Sequence, residues 1–395
     1  MNVNHPRRYQ INTTSFEHYW KKGAGVLLLK KLGFTPDIRN ADPFKPYLFE
    51  FDREGDKVIE QLYEPIGFQR AHEVLKAYMN HQPICREHQD ILDAFFKTVE
   101  LDPPWLDHQK IDKGIELSQR SGVPGLLVLR DYCLMGGYES AAINKPLIYT
   151  GILKKGAAKR LTDTTVFWVN ITRTGAFRKE GQGLWHVIST RLIHSFSRTG
   201  ILKKTDWKIE QWGIPLNTWD MLATQLGFSL VFLTGLRRMG FNPSEEEVAG
   251  LFHLWKYIGY LLGIPLELLP ENEHQAIEAL YYWTMTQAPG DADSVALADA
   301  LMRETMESGF PRSWFARKLM QQMHLFYNHY FLGRYSCRLL RIPKPFVRGI
   351  FRIFLWRIKR LERKMSNRKL RAKAILDGGA RQLSALNIYL KYKYH

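Results

Sequence analysis

Apolar residues recur along most of this chain at three- and four-residue intervals, the spacing of helices with one buried face. The plainest case opens at Ser244-Glu245-Glu246-Glu247, where a serine and the glutamate three residues later form a capping box. Val248, Leu251, Phe252, Trp255, Gly259 and Leu262 then line one face, and Pro265 and Pro270 close the region. Gln287-Ala288-Pro289-Gly290 reads as a loop, and Asp293-Ser294 restarts a helix that should run to about Gly309. Residues 112–142 read as one or two helices with a break around Gly122–Gly125. Strand-like runs are few. Pro46–Phe51 is one candidate, and the β-branched run Thr164–Thr172 is another by propensity.

The last helix pattern, PFVRGIFRIFLWRIKRLERKM, differs from the others in its charge. Val347, Ile350, Phe351, Phe354, Ile358, Leu361 and Met365 form a stripe, with Arg348, Arg352, Lys359, Arg360, Arg363 and Lys364 mainly outside it. From Arg338 onward there are 17 Lys/Arg against Glu362 and Asp377, so this tail carries +15 of the net +17. The rest of the chain is close to neutral. A basic amphipathic helix with aromatics suits either an anionic membrane surface or packing on the body with solvated charges. Nothing in the tail carries a nucleic-acid motif.

With 395 residues, 45% of them hydrophobic, the chain is long enough for a large core. Boundaries are expected near Asp102-Pro103-Pro104 and Arg341–Pro345. They give a mainly helical N-terminal extension (1–104), a central domain (105–340) and a basic amphipathic tail (341–395). Cys85, Cys133 and Cys337 have neither zinc nor disulfide-framework spacing, which points to a reduced, cytoplasmic setting. The amino end lacks the apolar stretch of an export signal, and no run of eighteen uncharged apolar residues is found.

Familiar catalytic motifs are missing. There is no HExxH, no phosphate-binding loop and no GxSxG, and Gly23-Ala24-Gly25 lacks the third glycine of a dinucleotide site. Glu271–His274 is a lone ExxH where a di-iron bundle needs two, and His324 and His329 read as ordinary histidines.

One constellation stands out. In TRLIHSFSR, Arg191, His194 and Arg198 fall on one helix face. An imidazole flanked by guanidiniums can ligate a metal while the arginines meet anionic groups. In a haem site the imidazole would be axial and the arginines would face propionates. A surface helix with scattered charge has the same pattern. Upstream, KRLTDTTVF places Arg160 and Thr164 four apart, two donors suited to a polar ligand over an iron.

Together these segments resemble the rubber oxygenase (latex-clearing protein) family, which includes the MpaB-type oxygenases. The resemblance runs from about Trp105 to Ile264. It rests on Arg160–Thr164, on RLIHSFSR at Arg191–Arg198, on WGIPLNTWD at Trp212–Asp220 and on LFHLWKYIGYLLGIP at Leu251–Pro265. It implies an all-α fold with a globin-like core around haem b. His194 would be the iron ligand, Arg191 and Arg198 would support the haem, and Arg160 and Thr164 would lie on the distal side. It therefore implies helix, not strand, for Thr164–Thr172. The implied activity is dioxygen-dependent cleavage of carbon–carbon double bonds in isoprenoid or other lipid-like molecules. A further carboxylate serves the family as a base, and Glu139 is the candidate here. Rubber-cleaving members carry a lysine directly before the distal threonine, where this chain has Asp163, and they are exported. Both departures turn the expected substrate away from rubber. Two other readings remain: a non-catalytic haem- or lipid-binding protein, and a peripheral membrane module acting through its tail.

Overall fold

The computed structural model describes residues 5–11, 16–151, 157–179, 181–307, 310–347 and 349–392. Gly309 and Arg348, named above, lie outside them. Among the described residues there is no strand, only an isolated bridge between Ser140 and Pro289, and the fold is all-α. Pro46–Phe51 is not a strand: Ile38–Leu48 is a 3₁₀ helix with Pro43 and Pro46 inside it. Proline supplies no N–H to a sheet ladder, and this segment has no partner strand.

The helices that place the site are α1 (Arg53–Val58), α2 (His108–Arg120), α3 (Ala157–Ile171), α4 (Gly183–Lys204), α5 (Thr218–Leu226) and α6 (Glu245–Leu261). After them come α7 (Trp314–Leu339), α8 (Gly349–Glu362) and α9 (Arg368–Tyr392). The capping box forms as expected at the start of α6. That helix packs along α2, and the two backbones meet at paired glycines. A Cβ on Gly114 would stand 2.5 Å from the Gly250 carbonyl oxygen.

Helix α3 contains the run that propensity assigns to a strand. Threonines explain how it stays helical: Thr162 and Thr165 within it, and Thr172 just past its end, each donate a hydroxyl to the carbonyl four residues back, at 2.7–2.8 Å. Each hydroxyl is satisfied inside the helix, which removes the burial cost of a polar side chain. Trp168, fully buried, anchors the same helix in the core.

One hydrophobic core takes residues from Tyr9 to Leu386, so all three sequence segments contribute to it. The span Thr218–Met239 stays helical through a π-turn at Gly227–Val231 and is long and apolar enough to cross a bilayer, although the sequence holds no run of eighteen uncharged apolar residues. In this fold 72% of its most apolar eighteen-residue window is buried within the protein, the position of a core helix.

The tail stripe is divided by the fold. On α8, Phe351, Leu355 and Ile358 turn inward, and Phe351 meets Phe326 of α7 at 5.6 Å between centroids. Ile350, Phe354 and Leu361 of the same stripe remain exposed.

Candidate functional site

Helix α4 brings Arg191, His194 and Arg198 to one face, as the spacing predicts, and all three wall one small cavity. Its other walls are Leu216 and Thr218, Met221 on α5, and Leu262, Gly263 and Ile264 after α6, with Asp52 at the start of α1. Three of the four motif segments singled out in the sequence thus converge on one cavity.

The arginines are held from the N-terminal side. Arg191 makes a fork-to-fork pair with Asp52, Nε to Oδ2 and Nη2 to Oδ1 at 2.7 Å each, and lies over the Phe95 ring at 4.9 Å. Arg198 donates from Nε to both oxygens of Asp56 at 3.1 Å and from Nη2 to the Asp52 carbonyl at 3.1 Å. Bidentate geometry of this kind fixes a guanidinium in direction as well as position. The close approach of α1 to α4 needs Gly55, whose Cβ would stand 2.4 Å from the Ser195 hydroxyl oxygen. Asp52 and Asp56 did not emerge from the sequence. Their only trace is a pair of acids four residues apart in FDREGD.

The electrostatics follow from this packing. Burial works against ionisation of Asp52, but the bonds and charge of Arg191 outweigh it and hold the carboxyl below the usual aspartate range. At Asp56 burial prevails over Arg198 and pushes the pKa up. His194 is lowered to about 4, first by burial and then by Arg198, with Asp52 opposing. Its imidazole is therefore neutral at pH 7 and keeps a lone pair for a Lewis acid. Its Nδ1 is buried without a hydrogen-bond partner.

The remaining candidates gather elsewhere. Arg160 and Thr164, both half-buried, lie one turn apart on α3, which packs against α4, but neither walls the His194 cavity. The Arg160 guanidinium donates to the Tyr138 hydroxyl at 2.8 Å and lies over that ring at 5.2 Å. Tyr138 was not singled out in the sequence. Its neighbour Glu139 is buried and faces His18, Oε2 to Nε2 at 3.4 Å, away from the His194 walls. Asp163 is on the solvent side of α3, paired with Lys159. His324 is a buried histidine bonded to Asp131 at 2.7 Å, and His329 bonds the Pro343 carbonyl. All three cysteines are free.

Among the described residues no three His, Cys, Asp or Glu side chains form a metal-binding cluster. A metal on His194 would have to bring its other ligands with it, as the iron of a porphyrin does. The donor chemistry fits such a group: a neutral imidazole with guanidiniums on both sides. The cavity is about 10 Å³, room for about one water, and far below the roughly 300 to 1,000 Å³ of ligand pockets.

In this all-α chain, three of the motif segments thus meet around one half-buried, neutral imidazole. The chain belongs to the family described as ER-bound oxygenase mpaB/B'/Rubber oxygenase, catalytic domain, whose model matches residues 127–360. It is therefore a member of an oxygenase family. A solved structure of latex clearing protein in the closed state shares the fold, with a TM-score of 0.56 at 16% identity over 92% of each chain. Among curated proteins, none matches the chain.

Proposed function

We propose that this protein is a haem b-dependent oxygenase that uses dioxygen to cleave or oxidise carbon–carbon double bonds of an isoprenoid or other lipid-like molecule. The observation that carries the reading is His194, neutral and lining the cavity on which three family segments converge. His194 would hold the iron, and Arg191 and Arg198 would support the group. Bound there, haem would supply the activation of dioxygen, chemistry that side chains alone do not perform.

The chain's own residues have simpler tasks. Asp52 and Asp56 fix the two arginines, so the polar rim of the site is set before any ligand arrives. Arg160 and Thr164 offer N–H and O–H donors on the helix packed beside α4, and Tyr138 fixes the direction of Arg160. Leu216, Met221 and Ile264 give the cavity apolar walls that exclude water. A porphyrin needs far more room than this cavity of about 10 Å³, so the account requires those walls to spread widely on loading.

The test is oxygen uptake by the haem-supplemented protein with polyprenyl lipids, with mass-spectrometric detection of new aldehyde or ketone ends. The expected result is carbonyl products that vanish in His194→Ala. A haem-loaded protein that consumes no oxygen with any such lipid would instead establish a non-catalytic binding protein. Asp163, turned to solvent where rubber-cleaving relatives carry lysine, favours that second reading.

A further inference from the structure

Three of the most exposed apolar side chains lie on two segments that the fold brings together. Phe346 is 91% exposed, Phe315 73% and Trp314 61%, values far from those of residues packed in a core. Trp314 and Phe315 begin α7, and Phe346 precedes α8, so they come from separate segments. The fold joins them. The Phe346 N–H donates to the Gln322 side chain at 2.7 Å, and Gln322 lies one turn beyond Leu319 and two beyond Phe315 on α7. Farther along that face Phe326 meets Phe351, which fixes α8 against α7. The exposed residues Ile350, Phe354 and Leu361 then extend the patch along α8.

The charge along this stretch of chain has one sign. Between Glu307 and Glu362 the sequence holds twelve Lys/Arg and no acid. Arg312 and Lys318 are exposed beside Trp314 and Phe315, and Arg352, Arg357 and Arg360 are exposed on α8. Arg360 stacks on Trp356 at 5.4 Å, a pairing that suits the boundary between water and an apolar phase. Soluble monomers seldom leave several large aromatics together in water, and such patches mark interaction sites.

We propose that the first turns of α7, the segment ending at Phe346 and the outer face of α8 form a docking surface for anionic lipid bilayers. Phe315, Leu319, Phe346, Ile350 and Phe354 enter the acyl boundary, and the arginines meet lipid phosphates around them. The surface is built from two segments far apart in sequence, so it exists only in the folded protein. It does not depend on haem or on any activity of the His194 site. It gives a water-insoluble substrate a route to the enzyme without extraction into water.

The test is flotation of the full-length protein with vesicles of phosphatidylcholine plus phosphatidylglycerol, against vesicles of phosphatidylcholine alone. Binding is expected to the anionic vesicles and to weaken with added salt. The double variant Phe315→Ser/Phe346→Ser should lower partitioning about tenfold or more. Arg352→Gln/Arg357→Gln should lower it several-fold on anionic vesicles only. Because these side chains are exposed, circular dichroism and the melting temperature should stay as in the parent. Four results would overturn the proposal: no vesicle binding, equal binding to neutral and anionic vesicles, undiminished binding by the Phe315/Phe346 variant, or a dimer in light scattering that this variant dissolves.

Discussion

Asp52 is the residue on which the geometry of the site turns. It receives two donors from Arg191, and its carbonyl receives one from Arg198. Asp52→Asn would leave a buried guanidinium without its counter-charge, a loss of about 3 kcal/mol by the behaviour of broken buried pairs. A lowered melting temperature at pH 7 is the expected readout. The pH dependence has a definite sign. The native carboxyl titrates below the unfolded one, so the pair adds stability above the ordinary aspartate range and loses it as pH falls through the native value. Acid denaturation of Asp52→Asn should therefore be shallower below about pH 4 than that of the parent. Tyr138 acts at one remove, through Arg160. In the proposed oxygenase, Tyr138→Phe should lower turnover about tenfold, as loss of one positioned hydrogen bond does, with haem content and melting temperature nearly unchanged. Equal turnover would show that Arg160 needs no such support.

Among the elements, the helices whose apolar face and caps agree were the most legible. The capping box at Ser244 and the face starting at Val248 appear as read. The run in α3 was misleading by propensity because threonine side chains can bond their own helix, which no β-propensity scale records. The tail stripe was visible, but its division between Phe351 inside and Phe354 outside depends on where α7 lies, and the pattern of one helix does not contain that. Arg191, His194 and Arg198 were legible because one helix carries them. Asp52, Asp56 and Tyr138 were not, because they reach the candidate residues only through tertiary packing. The α2–α6 pair tests the packing directly. Gly114→Ala would push a methyl into the Gly250 carbonyl, and a loss of about 1–3 kcal/mol is expected from denaturant unfolding. An unchanged midpoint would mean that the two helices can part at no cost.

At the scale of the molecule, the chain reads as a helical body with two outward-looking features. One is the cavity around His194, assembled from segments as distant as Asp52 and Ile264. The other is the aromatic and basic surface of α7 and α8, assembled from Trp314 to Leu361. Family membership places the chain in an oxygenase lineage, and the first feature is its candidate site. The second, in the docking proposal, would bring that activity to a membrane. The central claim is the bond between His194 and a porphyrin iron, and the visible spectrum of the purified, haem-supplemented protein tests it most directly. A Soret band, with a pyridine haemochrome of the b type, that is lost in a folded His194→Ala protein is the predicted result. A folded parent protein that stays colourless, or a Soret band that survives unchanged in His194→Ala, would contradict it.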